Sequence, residues 1–247
     1  MPNYLNNLVI STAKLLGYSI IPNWRMPAYA LSTHLRTLFD KYKIDTVLDV
    51  GANAGQYRDL LRHEVGFNGQ IISFEPIADL AALLRSRSEN DPSWHINAYA
   101  LGSENTTKNI NIMADSKFSS FLEPDNKLTP KYRSKNIVSR QMSVNIHRLD
   151  DIFSNLREAY SIRNAYLKLD TQGYDLEVLK GGRNTLREII AVQSEISFRP
   201  VYEGMPDFLT SFSEFGQNGF SVSGIFPVGL DSSLKLIEAD CVMVKCC

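Results

Sequence analysis

The sequence predicts an α/β fold: a doubly wound, mostly parallel sheet with an antiparallel closing strand and an N-terminal helical cap. Three observations carry this prediction. Within 46–63, a short apolar run stops at a glycine turn and a helical pattern follows. Two further apolar runs, 70–74 and 165–169, each lead into another helical pattern, as parallel strands do. The last two runs, 220–225 and 238–245, have no helix between them, which predicts an antiparallel pair.

The composition limits the classes of partner and compartment. The 247 residues suffice for one α/β domain at 44–247 and a cap at 1–43. The 26 basic and 27 acidic residues nearly balance, so we expect no nucleic-acid or anionic-membrane partner. No apolar run is long enough for stable membrane insertion, and the N-terminus lacks the pattern of a signal peptide. The three cysteines, Cys241, Cys246 and Cys247, cannot build a disulfide framework and favour a reducing, cytoplasmic setting.

Two helices are expected in the cap. Apolar residues recur at helical spacing over 5–16, where Gly17 is a suitable end, and again over 30–42. We expect the second helix to pack on the edge of the sheet. A lid, a dimer contact or a membrane-surface contact is the alternative, and a homo-oligomer is left open.

The remaining segments alternate between strands and helices with one interruption. Helices are expected at 54–63, after Pro76, from Arg148, over 174–184 and over 201–215, and strands at 94–99, 109–113, 141–147 and 189–196. The interruption is 105–142, where Pro124 and Pro130 mark loops. Ser119, Ser120 and a basic run over 131–140 predict either a substrate loop or a solvated surface loop.

The glycine turn at 51–55 indicates the kind of ligand. Glycines there let the backbone approach a ligand closely, at the edge where open parallel sheets bind ligands. Its G-x-x-x-G spacing puts Asn53 where a dinucleotide fingerprint has its central glycine, and no lysine follows for a triphosphate. Asp49 precedes the turn, and we expect it at the mouth of the pocket, where it can accept hydrogen bonds from a cationic or hydroxylated ligand. Glu75 ends the next strand, where a carboxylate suits a ribose diol. These residues predict a pocket for an adenosine-type nucleoside with a cationic tail, a description that S-adenosylmethionine fits.

Four motifs resemble the FkbM family of S-adenosylmethionine-dependent methyltransferases. They are D-V-G-A-N-A-G-Q-Y at 49–57, S-F-E-P at 73–76, A-L-G at 100–102 and L-K-L-D-T-Q-G-Y-D-L-E-V-L-K-G-G at 167–182. The resemblance covers roughly 44–220 and implies the Rossmann-like fold of class I methyltransferases. The cofactor residues predicted from the turn and the resemblance together are Asp49, Gly51, Asn53, Gly55, Tyr57, Glu75, Pro76, Ala100 and Leu101. The resemblance also favours Ser119 and Ser120 as substrate-binding residues.

Methyl transfer to an alcohol needs alignment of donor and acceptor, and a group that takes the hydroxyl proton or lowers its pKa. Asp170 and Glu195 end two neighbouring strands and are the leading candidates, either as acid/base groups or as ligands of Mg²⁺. The alternative has Asp170 bonded to its own loop and Glu195 paired with Arg199. Lys168 is a weaker catalytic candidate that reaches either the cleft or the sheet edge. His95 and His147 rank below the carboxylates.

The sequence therefore predicts an S-adenosylmethionine-dependent O-methyltransferase that acts on a hydroxyl of a sugar or another polyhydroxylated metabolite. Two other functions are kept as alternatives. One is a Rossmann-type enzyme that uses NAD, which the missing central glycine disfavours. The other is a methyltransferase-like binding or scaffold protein without catalysis, which the complete set of Asp49, Gly51, Gly55 and Glu75 disfavours.

Overall fold

The structure is a computed structural model that describes residues 12, 13, 15–18, 21 and 26–246. Its helices are α1 (Met26–Tyr42), α2 (Gln56–Asp59, followed by a π-helical stretch Leu60–Val65), α3 (Ala78–Ser88), α4 (Leu149–Tyr160), α5 (Asp175–Gly181) and α6 (Phe208–Gln217). Its strands are β1 (Thr46–Val50), β2 (Gln70–Phe74), β3 (Trp94–Asn97), β4 (Ala100–Leu101), β5 (Thr106–Met113), β6 (Val138–His147), β7 (Ala165–Leu169), β8 (Ile189–Ser197), β9 (Phe220–Leu230) and β10 (Leu236–Lys245). No described helix has the length and apolar character needed to cross a membrane.

Seven strands form the main sheet in the order β3-β2-β1-β7-β8-β10-β9. The first five are parallel, and β10 runs antiparallel to both β8 and β9, which confirms the predicted closing pair. The chain reverses direction across the sheet between β1 and β7. Such a switch point opens a crevice at the carboxyl ends of the strands, where α/β proteins bind ligands.

Both faces of the main sheet are covered by helices. Apolar residues of α1, the π-helical stretch after α2, and α3 share one buried cluster with the sheet, including Leu35, Leu61 and Leu84. Residues of α4, α5 and α6 share the other, including Phe153 and Phe215. Because both faces of the sheet are buried, each parallel strand is a nearly continuous run of apolar residues in the sequence.

Helix α1 lies across a face of the sheet, so the expected packing on the sheet edge is wrong. The ring of Phe39 packs edge-on against Tyr166 of the central strand β7, with centroids 4.9 Å apart. At the middle of the helix, the ring of His34 lies against Phe226 of the edge strand β9, with centroids 5.3 Å apart. The helix buries its apolar side on central strands because that face would otherwise expose them. Most of the predicted helix at 5–16 lies outside the described residues.

The interrupted stretch forms a second, three-stranded sheet in the order β4-β6-β5. The loop between β5 and β6 folds back over the crevice, where the Asn53 amide nitrogen donates a hydrogen bond to the Ser116 hydroxyl at 3.1 Å. The predicted third strand stops at Asn97, and Ala100 and Leu101 join this second sheet instead.

The helix predicted over 201–215 begins only at Phe208. The Asp207 side chain accepts a hydrogen bond from the Thr210 amide at 2.7 Å and so caps its start. Val201 and Tyr202 are buried in the preceding loop, where Tyr202 forms a bridge with Pro124. The apolar side chains of Val201 and Tyr202 led to their inclusion in the predicted helix. Their tertiary contacts hold them in the loop instead.

Candidate active site

A cavity of about 610 Å³ opens at the carboxyl ends of β1, β2, β7 and β8, beneath α1 and the β5–β6 loop. Most of the predicted site residues line it, namely Gly51, Asn53, Tyr57, Glu75, Pro76, Ala100, Leu101, Ser119, Lys168, Asp170 and Glu195. Asp49, Gly55 and Ser120 lie outside its lining. The sheet topology thus brings residues from distant parts of the sequence to one crevice.

The glycine turn has the close backbone approach expected of it. Gly51 has a φ of +81°, and a Cβ there would lie 2.0 Å from the carbonyl oxygen of Asp170. A side chain would therefore collide with the backbone that follows β7. Asn53, at the third position of the turn, also has a positive φ of 47°, and its side chain accepts a hydrogen bond from the Ala54 amide at 2.8 Å. Asparagine tolerates this left-handed backbone better than most residues.

Glu75 is held beside the turn by two backbone donors. The Asn53 amide donates to its Oε2 and the Ile77 amide to its Oε1, both at 2.8 Å. Burial raises the pKa of Glu75 from 4.5 to about 7, although these two hydrogen bonds act to lower it. Each carboxylate oxygen retains a lone pair for a ligand hydroxyl.

Asp49 lies beneath the cavity, fully buried, so the expected place at its mouth is wrong. It accepts a hydrogen bond from Ser73 at 3.0 Å, and its Oδ1 is 3.2 Å from Lys168 Nζ. Lys168 also lies 3.3 Å from Asp170 Oδ2 and so connects the two acids. Burial acts to lower the pKa of Lys168, but the charges of Asp170 and Asp49 outweigh it and raise that pKa. Lys168 is therefore a fixed cation and a poor proton acceptor.

Asp170 and Glu195 are brought together by a residue that the sequence analysis did not select. The Gln172 amide nitrogen donates to Asp170 Oδ1 and to Glu195 Oε2, both at 2.9 Å. The alternative pairing of Glu195 with Arg199 is wrong, since Arg199 pairs with Asp231 at 2.8 Å. Burial, followed by the charge of Asp170, raises the pKa of Glu195 well above its ordinary value.

The two predicted substrate serines differ in position. Ser119 lines the cavity, and its hydroxyl accepts a hydrogen bond from the Met113 amide at 3.3 Å. Ser120 is fully buried, and its hydroxyl donates to the carbonyl of Gln172 at 2.6 Å. Ser120 thus supports the loop that carries Gln172.

Gln193, Glu238 and Asp240 are among the further polar residues of the cavity that were not predicted from the sequence. Asp240 pairs in register with Glu195, and its Oδ1 accepts a hydrogen bond from Gln193 Nε2 at 2.9 Å. Burial raises the pKa of Glu238 to about 7 and that of Asp240 to about 6. A signal was present in the sequence, since Gln193 and Glu195, and Glu238 and Asp240, are polar pairs two residues apart in otherwise apolar strands.

The arrangement does not fit Mg²⁺. Within 26–246 and the few residues described before it, no three His, Cys, Asp or Glu side chains are grouped to hold a metal ion. The two predicted ligands, Asp170 and Glu195, face an amide nitrogen instead. The lower-ranked histidines line no part of the cavity: His95 bonds to Gln70 at 2.8 Å, and His147 packs against Tyr99 at 4.5 Å.

The model of the methyltransferase FkbM domain matches residues 49–222, most of the chain. The chain belongs to the FkbM methyltransferase family. The parallel sheet with its antiparallel β10 is the class I methyltransferase arrangement that this family membership predicts. A search of curated proteins found no significant match.

Several solved structures are similar to this FkbM domain. An FkbM methyltransferase from Methylobacillus flagellatus KT is 14% identical with a TM-score of 0.49, over 81% of this chain and 43% of that longer one. Aeropyrum pernix fibrillarin with natively bound S-adenosyl-L-methionine is 10% identical with a TM-score of 0.46, over 81% of this chain and 66% of that one. Magnesium protoporphyrin IX methyltransferase from Synechocystis PCC 6803, with bound SAM, is 7% identical with a TM-score of 0.46, over 91% and 82%.

Proposed function

We propose that this chain is an S-adenosylmethionine-dependent O-methyltransferase that acts on a hydroxyl of a sugar or another polyhydroxylated metabolite. The observation that carries the proposal is the position of Glu75. Two backbone amides fix its carboxyl group beside a glycine turn, at the switch point of a class I methyltransferase sheet. A carboxylate fixed in this way is ready to accept hydrogen bonds from the two hydroxyls of a ribose.

The residues around Glu75 suit the rest of the cofactor. Gly51 leaves the backbone bare where the ligand must pass closely. Pro76, Ala100 and Leu101 line the cavity on the β2 side and offer an apolar surface for an adenine. Beside the glycine turn, the ring of Tyr57 lines the wall, where an aromatic face suits a cationic tail. Asp49 supports this wall from below through Lys168.

The other end of the cavity carries the acceptor chemistry. S-adenosylmethionine, when bound, would supply the methyl group there and become a neutral thioether. Asp170 takes the proton of the acceptor hydroxyl as the new oxygen–carbon bond forms. Its side chain is 37% exposed and therefore reachable, and Lys168 Nζ holds it in place from 3.3 Å. Glu195, Glu238 and Asp240 offer further hydrogen-bonding groups to an acceptor rich in hydroxyls.

Isothermal titration with S-adenosylhomocysteine tests the cofactor assignment. We expect wild type to bind with and without Mg²⁺, Glu75→Ala to lose binding while remaining folded, and Glu158→Ala on the exposed side of α4 to bind normally. Equal affinity of Glu75→Ala and wild type would contradict the ribose assignment. If NAD bound and S-adenosylhomocysteine did not, the cofactor proposal would fail. Where binding is observed, sugar and nucleotide-sugar acceptors are screened for methyl transfer.

The remaining predictions about partners and compartment belong to this proposal. We propose a small-molecule acceptor, no nucleic-acid partner and a cytoplasmic location, and we leave the oligomeric state to measurement. The near balance of basic and acidic residues and the cysteine usage support these assignments. Cell fractionation and light scattering of the purified protein measure the location and the mass.

A further inference from the structure

Gln172 occupies a point on which two acidic side chains converge. Its amide nitrogen lies 2.9 Å from Asp170 Oδ1 and 2.9 Å from Glu195 Oε2. An amide nitrogen carries two hydrogens, so both are used by these two contacts. A divalent cation bridging the same oxygens needs this position, since Mg²⁺ and Ca²⁺ bind carboxylate oxygens at about 2.0 to 2.6 Å.

The side chain of Gln172 is fixed from both ends. The Tyr202 hydroxyl lies 2.8 Å from its Oε1 and 2.7 Å from the Phe118 carbonyl oxygen, so its one hydrogen is shared between these two acceptors. The Ser120 hydroxyl donates to the backbone carbonyl of Gln172 at 2.6 Å. Tyr202 and Ser120 are both almost completely buried, so these contacts are shielded from water. The reverse orientation of the amide would turn its oxygen towards Asp170 Oδ1, which is unfavourable.

The backbone of Gln172 also carries a conformational cost. Its φ is +54°, a left-handed backbone value that residues other than glycine and asparagine seldom adopt. Such a conformation persists where surrounding contacts enforce it, and residues of this kind concentrate at functional sites. Here the enforced backbone is what aims the amide nitrogen at Asp170 and Glu195.

The Gln172 amide donates hydrogen bonds to the two acidic side chains but carries no positive charge. Other groups in the site must therefore balance their negative charge. Lys168 lies 3.3 Å from Asp170 and serves as the cation for that carboxylate. Glu195 has no basic partner among the contacts described, and burial raises its pKa.

We propose that Gln172 is a positioning residue that fills the place of a divalent cation, so that Asp170 and Glu195 act on the acceptor hydroxyl without a metal. This inference rests on the proposed function for the identity of the reaction. In the transfer step, the acceptor oxygen forms its bond to the methyl carbon, the sulfur–carbon bond breaks with its electrons left on sulfur, and Asp170 receives the hydroxyl proton. Gln172 touches none of the reacting atoms and acts only through the two acids.

The experiment is a Mn²⁺ titration followed by electron paramagnetic resonance, on protein saturated with S-adenosylhomocysteine. Gln172→Glu replaces the amide by a third carboxyl oxygen at the point where the others converge. We expect it to bind Mn²⁺ roughly tenfold or more tightly than wild type, because charge and ligand number set the affinity for hard cations. Adding Asp170→Asn should remove the gain. Gln217→Glu, on the exposed side of α6, is the matched control and should behave as wild type.

Two results would overturn the inference. One is Mn²⁺ binding by wild type that is as tight as that of Gln172→Glu and is lost in Asp170→Asn. The other is a Gln172→Glu variant that binds S-adenosylhomocysteine normally but gains no Mn²⁺ affinity. If Gln172→Glu does not fold, Gln172→Ala replaces it and should show a smaller gain, whose absence counts equally against the inference. Failure of wild type to bind S-adenosylhomocysteine would instead refute the proposed function.

Discussion

Replacing Glu75 by glutamine should change how the stability of the protein depends on pH. Burial raises the pKa of Glu75 from 4.5 to about 7 in the folded chain. Below pH 4.5 the carboxyl group is protonated in both states. Between 4.5 and 7 the unfolded chain releases this proton more readily than the folded chain does, so the free energy of unfolding falls as pH rises. Above pH 7 the Glu75 carboxyl group is ionised in both the folded and the unfolded chain, so its contribution to the free energy of unfolding no longer changes with pH.

The size of the effect follows from the shift in pKa. A shift from 4.5 to about 7 corresponds to about 3 kcal/mol at the high-pH limit. Between pH 5 and pH 8, where the protein is easily handled, about 2.5 kcal/mol of this change should be seen. Glutamine at position 75 cannot ionise. Any loss of hydrogen bonding to Asn53 or Ile77 in the variant is independent of pH.

The assay is urea unfolding of ligand-free protein at four pH values from 5 to 8. Wild type should lose about 2.5 kcal/mol relative to Glu75→Gln across this range. Glu238 and Asp240 titrate in both proteins, so their contributions cancel in the difference. Glu158→Gln is the matched control and should follow wild type at every pH. A difference between wild type and Glu75→Gln that is constant from pH 5 to pH 8 would refute the reasoning.

Three further substitutions test other parts of the structure. Gly51→Ala should abolish S-adenosylhomocysteine binding in titration and destabilise the fold by more than about 2 kcal/mol, because its Cβ would meet the backbone of Asp170. Lys168→Met should cost about 3–5 kcal/mol in urea unfolding, because Asp49 is left buried without its cation. Phe39→Ala should cost about 3–5 kcal/mol in the same assay, because α1 loses its aromatic contact with the sheet.

Each of these substitutions has a matched control. Gly216→Ala, at a helical glycine with open space around it, should leave binding unchanged. Adding Asp49→Asn to Lys168→Met should recover part of the lost stability, and a double variant less stable than the single one would contradict the pairing. Tyr29→Ala, on the exposed side of α1, should change stability by at most about 0.5 kcal/mol. A loss as small as this for Phe39→Ala would contradict the packing of α1 on the sheet.

Features encoded by neighbouring residues were predictable. The strands at 70–74 and 165–169 have the predicted bounds, and the strand at 46–50 ends at the predicted glycine turn, because each is a short apolar run stopped by a turn residue. The positive φ values of Gly51 and Gly55 followed from the turn sequence in the same way. Glu75 lines the cavity as expected, since a residue directly after a parallel strand must lie at the carboxyl edge of the sheet.

Features that depend on which strands become neighbours were not predictable. Asp240 faces Glu195 only because β10 inserts antiparallel between β8 and β9 with that register. Asp49 is buried because its strand is central and its side chain points beneath the cavity, towards Lys168. Ser120 was predicted to bind substrate, but the fold of the β5–β6 loop directs its hydroxyl to the backbone carbonyl of Gln172.

The sequence by itself determined the α/β class, the glycine turn and the acid that follows β2, because hydrophobic periodicity and turn chemistry act over a few residues. Only the tertiary structure decided that Gln172 joins Asp170 to Glu195 and that α1 covers a sheet face. Those contacts join segments far apart in the chain. Their geometry depends on strand order, register and side-chain burial, which local sequence patterns do not specify.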